Sequence, residues 1–251
     1  MLLGIINTNP MKEMNSYVKS ILVFQLFLLY CIPIFGQEIQ KSEIISETKI
    51  DSLYREDQFF IGLTYNLLNK TPVGFSNDKF AAGLTAGFLR DMPINAKRNL
   101  AIAPGLGLTF NNYNQNIGIS TSNGIPSYSL LSDPSKYSNN KFSQLFLDVP
   151  IELRWRGSTF QNHTFFRIHA GLKLSYLVFD RSVFTSNLGD VVINNNPDFN
   201  KIQYGLFAAA GYGSANLYIQ YGLNSLFKTA QIAGNPINAR SLNIGLVFYI
   251  L

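Results

Sequence analysis

The chain has 251 residues, a formal net charge of +5, 47% hydrophobic and only 14% charged residues. That is one domain's worth of sequence, apolar for a water-soluble protein, yet with no apolar run after residue 36 long enough for a membrane-spanning helix. The basic residues are dispersed, with no cluster or stripe, which excludes a nucleic-acid-binding surface.

The chain opens with an export signal. Lys12 and Lys19 precede an apolar stretch of about 14 residues from Ile21 to Ile34, shorter than a spanning helix, and Gly36 supplies a small residue for cleavage. Residues 1–36 therefore read as a signal peptide, with Met11 or Met14 better placed than Met1 as the start. Cys31 follows Leu28, Leu29 and the bulky Tyr30, which is not a lipobox. Cleavage after Gly36 would leave a mature chain without cysteine and so without disulfide or thiol chemistry. Residues 37–58 are polar and charged, with Ile44, Ile45, Ile50 and Leu53 only loosely spaced. They read as a periplasmic lead; a partly helical segment and a disordered linker both satisfy this composition.

From residue 59 the hydrophobic period changes to two. Eight segments alternate apolar and small or polar residues: Phe59–Leu67, Phe80–Leu89, Leu100–Phe110, Phe142–Arg156, Phe165–Phe179, Ile202–Tyr212, Ala215–Leu226 and Arg240–Leu251. Each has the nine to eleven or so residues that a tilted strand needs to cross a bilayer. A period of two marks strands with one face in apolar surroundings. The abundance of glycine and aromatics (Gly 19, Tyr 13, Phe 20) suits a barrel with a small-residue lumen and aromatic belts. The expected fold is all-β, an eight-stranded antiparallel up-and-down transmembrane β-barrel over residues 59–251. A soluble, lipocalin-like barrel would turn the apolar face inward, and the export signal and the unequal connections oppose it.

Connection lengths set the expected orientation. The gaps at 90–99, 157–164 and Gly213-Ser214 are short and belong in the periplasm; 111–141 and 180–201 are long and polar and belong outside. The gaps at 68–79 and 227–239 are of middling length and rich in Asn, Gly and Pro, as surface loops are. Phe59, Phe88, Trp155, Phe166, Tyr212 and Phe248 would then form the inner aromatic girdle. Tyr65, Phe80, Phe110, Tyr176 and Tyr204 would form the outer one.

The inward faces are unequal. The second and third strands present Ala, Gly and Thr, whereas the fourth and fifth present Asp148, Glu152, Arg154, Arg156, Arg167, His169 and Lys173. Folding those two strands together brings Glu152 near Arg167 or His169, and Asp148 near Lys173. An eight-stranded lumen is only wide enough to be filled by side chains, so these residues are expected to form a structural ion network, with their long side chains reaching into the room left by the small residues, and the barrel to be plugged. His163 and His169 are the only histidines, neither belongs near the outer rim, and no nucleophile sits beside a base by spacing. No catalytic, cofactor-binding or metal site is expected.

The segment FSQLFLDVPIELRWRGSTFQNHTFFRIHAGLKLSYLVFDRS (142–182), the stretch GLFAAAGYGSANLYIQYGLNSLFK (205–228) and the ending INARSLNIGLVFYIL (237–251) resemble the PorT family of outer-membrane β-barrels. Similarity to this family implies an outer-membrane protein of bacteria with type IX secretion, contacting membrane lipid and other secretion-system proteins, with a role in protein export. It supplies no catalytic residues. The alternative reading is a surface adhesin or loop-mediated binding module, suggested by the Asn, Ser and Tyr content of 111–141.

Overall fold

A computed structural model describes residues 57–77, 79–157, 166–187 and 189–250. The expected signal peptide, almost all of the periplasmic lead and His163 lie outside the described residues. Eight long strands follow in order: β1 (Gln58–Asn69), β2 (Ala82–Leu89), β3 (Leu100–Asn114), β4 (Tyr137–Arg156), β5 (Phe166–Ser186), β6 (Ile202–Tyr212), β7 (Ala215–Gly222) and β8 (Arg240–Ile250). Each pairs antiparallel with its neighbour in sequence. β8 returns to β1, with Leu246 opposite Leu63 and Phe248 opposite Ile61. The result is a closed eight-stranded antiparallel barrel without an edge, the arrangement that leaves no strand hydrogen bond unsatisfied in lipid.

Alternation decides which face goes where. Leu63, Leu153 and Leu172 remain 58%, 50% and 54% exposed, while their sequence neighbours Gly62, Thr64, Glu152, Arg154 and Lys173 are buried. Apolar side chains thus cover the outer wall, and the lumen takes the polar ones together with a small apolar cluster that includes Phe60, Phe207 and Val247, unlike the apolar interior of a water-soluble barrel. Aromatic pairs at the two ends of the wall follow the expected girdles. Phe59 lies 5.1 Å from Phe88, and Trp155 lies 6.5 Å from Phe166 at the end with the short turns. Tyr65 stacks on Phe80 at 5.2 Å at the other end.

The strand limits differ from the sequence reading at the loop end. β4 begins at Tyr137 and β5 runs to Ser186, so the long gaps contain much more strand than their polarity suggests. A hairpin of Ile117–Ser122 and Ile125–Leu130 fills much of the first. Gly189–Asn194 folds back on the end of β5 in the second. β2 starts at Ala82, two residues after the expected Phe80, and β7 stops at Gly222. On β5 the pairing jumps from Leu145↔Phe179 to Phe146↔Leu177, leaving Val178 as a bulge. Alternation inverts there: Val178 and Phe179 both face outward, and Asp180 and Ser182 are buried.

Candidate functional site

The lumen is where the chemistry of this chain concentrates. Every second side chain of β4, and of β5 up to the bulge at Val178, points inward, and Asp148, Glu152, Arg154, Arg156, Arg167, His169 and Lys173 are all buried. Glu152 is the hub. Its Oε2 accepts from Arg154 Nε at 2.9 Å and lies 3.6 Å from His169 Nδ1, and its Oε1 accepts from the Tyr249 hydroxyl at 3.1 Å. The Arg154 guanidinium carbon sits 5.6 Å from the centre of the Tyr249 ring, and the His169 ring meets that ring edge-on at 4.9 Å. A second centre forms at Asp148, which lies 3.4 Å from Lys173 Nζ and accepts from Ser175 Oγ at 2.6 Å and from the Thr109 hydroxyl.

The expected juxtaposition of Asp148 with Lys173 and of Glu152 with His169 is present, but the main partner of Glu152 is Arg154, two residues along the same face of the same strand. Arg167 lies in register with Arg156. A third carboxylate was missed by the sequence reading. Asp91, in the turn between β2 and β3, is fully buried and bridges Arg154 at 3.2 Å and Arg156 at 2.9 Å. The Arg156 Nε also donates to the carbonyl of Arg98 at 3.2 Å, so both ends of this turn are tied to the lumen wall. The one sequence signal for Asp91 is an acid next to a strand end on a barrel whose lumen carries surplus arginine.

The small residues of β2 and β3 do not simply make room for the charges. A Cβ on Gly87 would lie 2.6 Å from the Phe60 ring, and one on Gly107 3.0 Å from it, so the Phe60 ring itself occupies that space. Beyond it, Asn66 donates to Asn111 Oδ1 at 3.1 Å beside Gly83. The cavities left beside Asp148 and Lys173, and beside Glu152 and Tyr218, measure about 10 and 20 Å³. Each holds at most about one water.

The loop end is closed by different chemistry. Tyr113, Ile117, Ile119, Phe142, Phe146, Leu177, Phe199, Leu226 and Phe227 form one buried apolar cluster. Phe142 stands 5.0 Å from Tyr113 and 5.2 Å from Phe199, which stacks on Phe227 at 4.9 Å; Tyr128 meets Phe227 edge-on at 5.4 Å. Asparagines of the two long polar gaps fasten the lid. Asn116 accepts from Ser76 N at 2.8 Å and donates to Gly74 O at 2.9 Å, and Asn200 donates to Ser225 O and Phe227 O at 2.8 and 3.1 Å. Burial raises the Tyr128 phenol well above its usual range, so it stays protonated, while the bond from Asn196 at 3.0 Å opposes the rise.

Among the described residues no group of His, Cys, Asp and Glu is arranged to hold a metal ion, and no helix is long and apolar enough to cross a membrane. No curated protein matches the chain in sequence. Among solved structures it is similar to the attachment invasion locus protein Ail of Yersinia pestis in complex with the heparin analogue sucrose octasulfate, at 11% identity and a TM-score of 0.38, over 78% of this chain and 99% of that one. It is also similar to a mutant Rhodopseudomonas blastica porin, at 8% identity and a TM-score of 0.20, over 78% and 100%. Neither likeness adds to what the barrel geometry already shows. Residues 35–228 match the outer membrane protein beta-barrel domain, most of the chain, and the protein belongs to that family of outer-membrane barrels.

Proposed function

We propose that this outer-membrane barrel conducts no solute and acts through its loops and its N-terminal segment as a component, or companion, of a protein-export machinery of the PorT kind. The observation that carries the non-conducting part is the double closure of the lumen: paired charges at the turn end and a buried aromatic cluster at the loop end. A barrel filled in this way offers partners its wall, its lid and its termini. The export role is supported by the resemblance of 142–182, 205–228 and 237–251 to PorT-family barrels. In this reading residues 1–36 are removed on export and 37–58 lie in the periplasm, where they can meet other secretion subunits. The seven inward titratable side chains of β4 and β5, with Asp91, act as a structural staple, and the protein has no enzymatic activity.

The test compares a strain lacking the gene with wild type for extracellular and surface-displayed protein, and identifies what co-purifies with the tagged barrel from gently solubilised membranes. Reduced secretion together with a co-purifying secretion subunit is the expected result. Unchanged secretion with no such partner removes the export role and leaves the barrel. A second reading, a surface binding module, rests on the ordered hairpin 117–130. Its deletion would abolish surface binding while leaving secretion intact.

A further inference from the structure

A cleft of about 500 Å³ opens at the loop end, lined on one side by Ile125, Pro126, Ser127 and Tyr128 and on the other by Pro197–Asp198 and Lys228–Gln231. Side chains alternate between the two faces of a strand, so four consecutive residues can line one cleft only if it runs along the strand's edge. The other edge of Ile125–Leu130 is already taken by Ile117–Ser122. The cleft therefore follows the free edge.

The hydrogen-bonding state of that edge follows from the turn. Asn123 and Gly124 have φ of 52° and 78°, the two-residue turn with both central residues left-handed. In such a hairpin the flanking residues Ser122 and Ile125 exchange both backbone bonds, and every second pair after them does the same. The bond from Leu131 N to Asn116 O at 2.8 Å keeps that phase. Pro126 and Tyr128 consequently turn their backbone groups to the cleft. Pro126 fits this phase, because a proline inside a strand is tolerated where its missing N–H would have pointed off the ladder. Tyr128 N–H and C=O have no backbone partner among the described residues.

The opposite wall carries one acid and one base, Asp198 and Lys228, and each makes bonds within that wall. Asp198 Oδ1 accepts from Thr229 N and Oγ1, both at 2.7 Å, and Lys228 Nζ donates to Pro197 O at 2.6 Å. Recognition is left to backbone groups and small polar side chains, since the Tyr128 ring packs on Phe227 and its hydroxyl accepts from Asn196. We infer that the cleft binds an extended, uncharged polypeptide segment, which adds as a strand along the free edge of Ile125–Leu130 and pairs with Tyr128 and the Pro126 carbonyl. This site does not depend on the export reading: it requires only the folded loops.

The full-length protein in detergent micelles is titrated with a pool of uncharged peptides alternating threonine or serine with valine or isoleucine, each fluorescently labelled. Saturable binding, with slowed hydrogen exchange at the Tyr128 amide, is the expected result. Methylating alternate peptide nitrogens should weaken binding about tenfold, as the loss of two backbone hydrogen bonds implies. Gln231→Trp, an exposed side chain in the far wall, should fill the cleft and weaken binding at least as much, in a variant that still shows the heat-modifiable gel mobility of a folded barrel. Three results would overturn the proposal: no saturable binding, equal binding of methylated peptides, or displacement of the label by a neutral oligosaccharide with the Tyr128 amide unaffected.

Discussion

The turn end of the lumen and the cap at its loop end both block the barrel, one with paired charges and the other with aromatic rings. At the turn end the carboxylates are held by specific partners: Glu152 accepts from Arg154 and Tyr249, with His169 Nδ1 3.6 Å away, and Asp91 bridges two arginines. At the loop end Phe142, Phe199 and Phe227 touch without directional bonds, and the side chains of Asn116 and Asn200 position the backbone around them. A charge network fails when one partner leaves, because the other stays buried and uncompensated. An apolar cluster loses transfer energy and gains a cavity, and its loops can partly collapse. The two halves of one barrel should therefore respond to mutation by different rules.

The largest effects belong to the charged half. Glu152→Ala and Asp91→Ala should each destabilise the barrel by about 3–5 kcal/mol, read from urea titrations in lipid vesicles. Glu152→Gln, which keeps the shape and an acceptor, should cost clearly less. If Glu152→Ala were neutral, the network would be ornament to a barrel held by its strands alone. Next comes the lid, where Phe142→Ala should cost about 3 kcal/mol, the lower end of the range for a buried Phe because surrounding loops can close in. Smaller again, Leu153→Ala should cost roughly 1.5–3 kcal/mol, since the side chain meets adaptable lipid. A Leu153→Ala more damaging than Glu152→Ala would mean that the inward and outward faces of β4 are exchanged.

The sharpest use of the contrast is the pair. Glu152 and Phe142 lie on the same strand, ten residues and thus about 33 Å apart. Their effects should add to within about 0.5 kcal/mol if the two closures are independent. A larger coupling would join the two closures into one cooperative unit.

Much of the barrel was legible because a period of two is written residue by residue: the outward Leu145, Leu147, Val149, Ile151 and Leu153 and the inward Asp148, Glu152 and Arg154 need no knowledge of partners. Three features were not. Asp91 lies in a turn, where no period marks its direction, and only the closed barrel brings it to Arg154 and Arg156. The bulge at Val178 depends on pairing with β4, and it reverses the faces of Asp180 and Ser182. The lid draws Tyr113, Phe142, Phe199 and Phe227 from four separate stretches, and the asparagines between them resemble ordinary loop composition. Local pattern reports the face of a strand; closure over the mouth is a long-range property.

The double closure is tested most directly by the conductance of the purified protein in a planar bilayer. No sustained current is expected from the wild type. None is expected from Phe199→Ala or Phe227→Ala either, because the charges around Asp148 and Glu152 still fill the lumen below the lid. Stable channels large enough for solutes in the wild type would contradict the double closure.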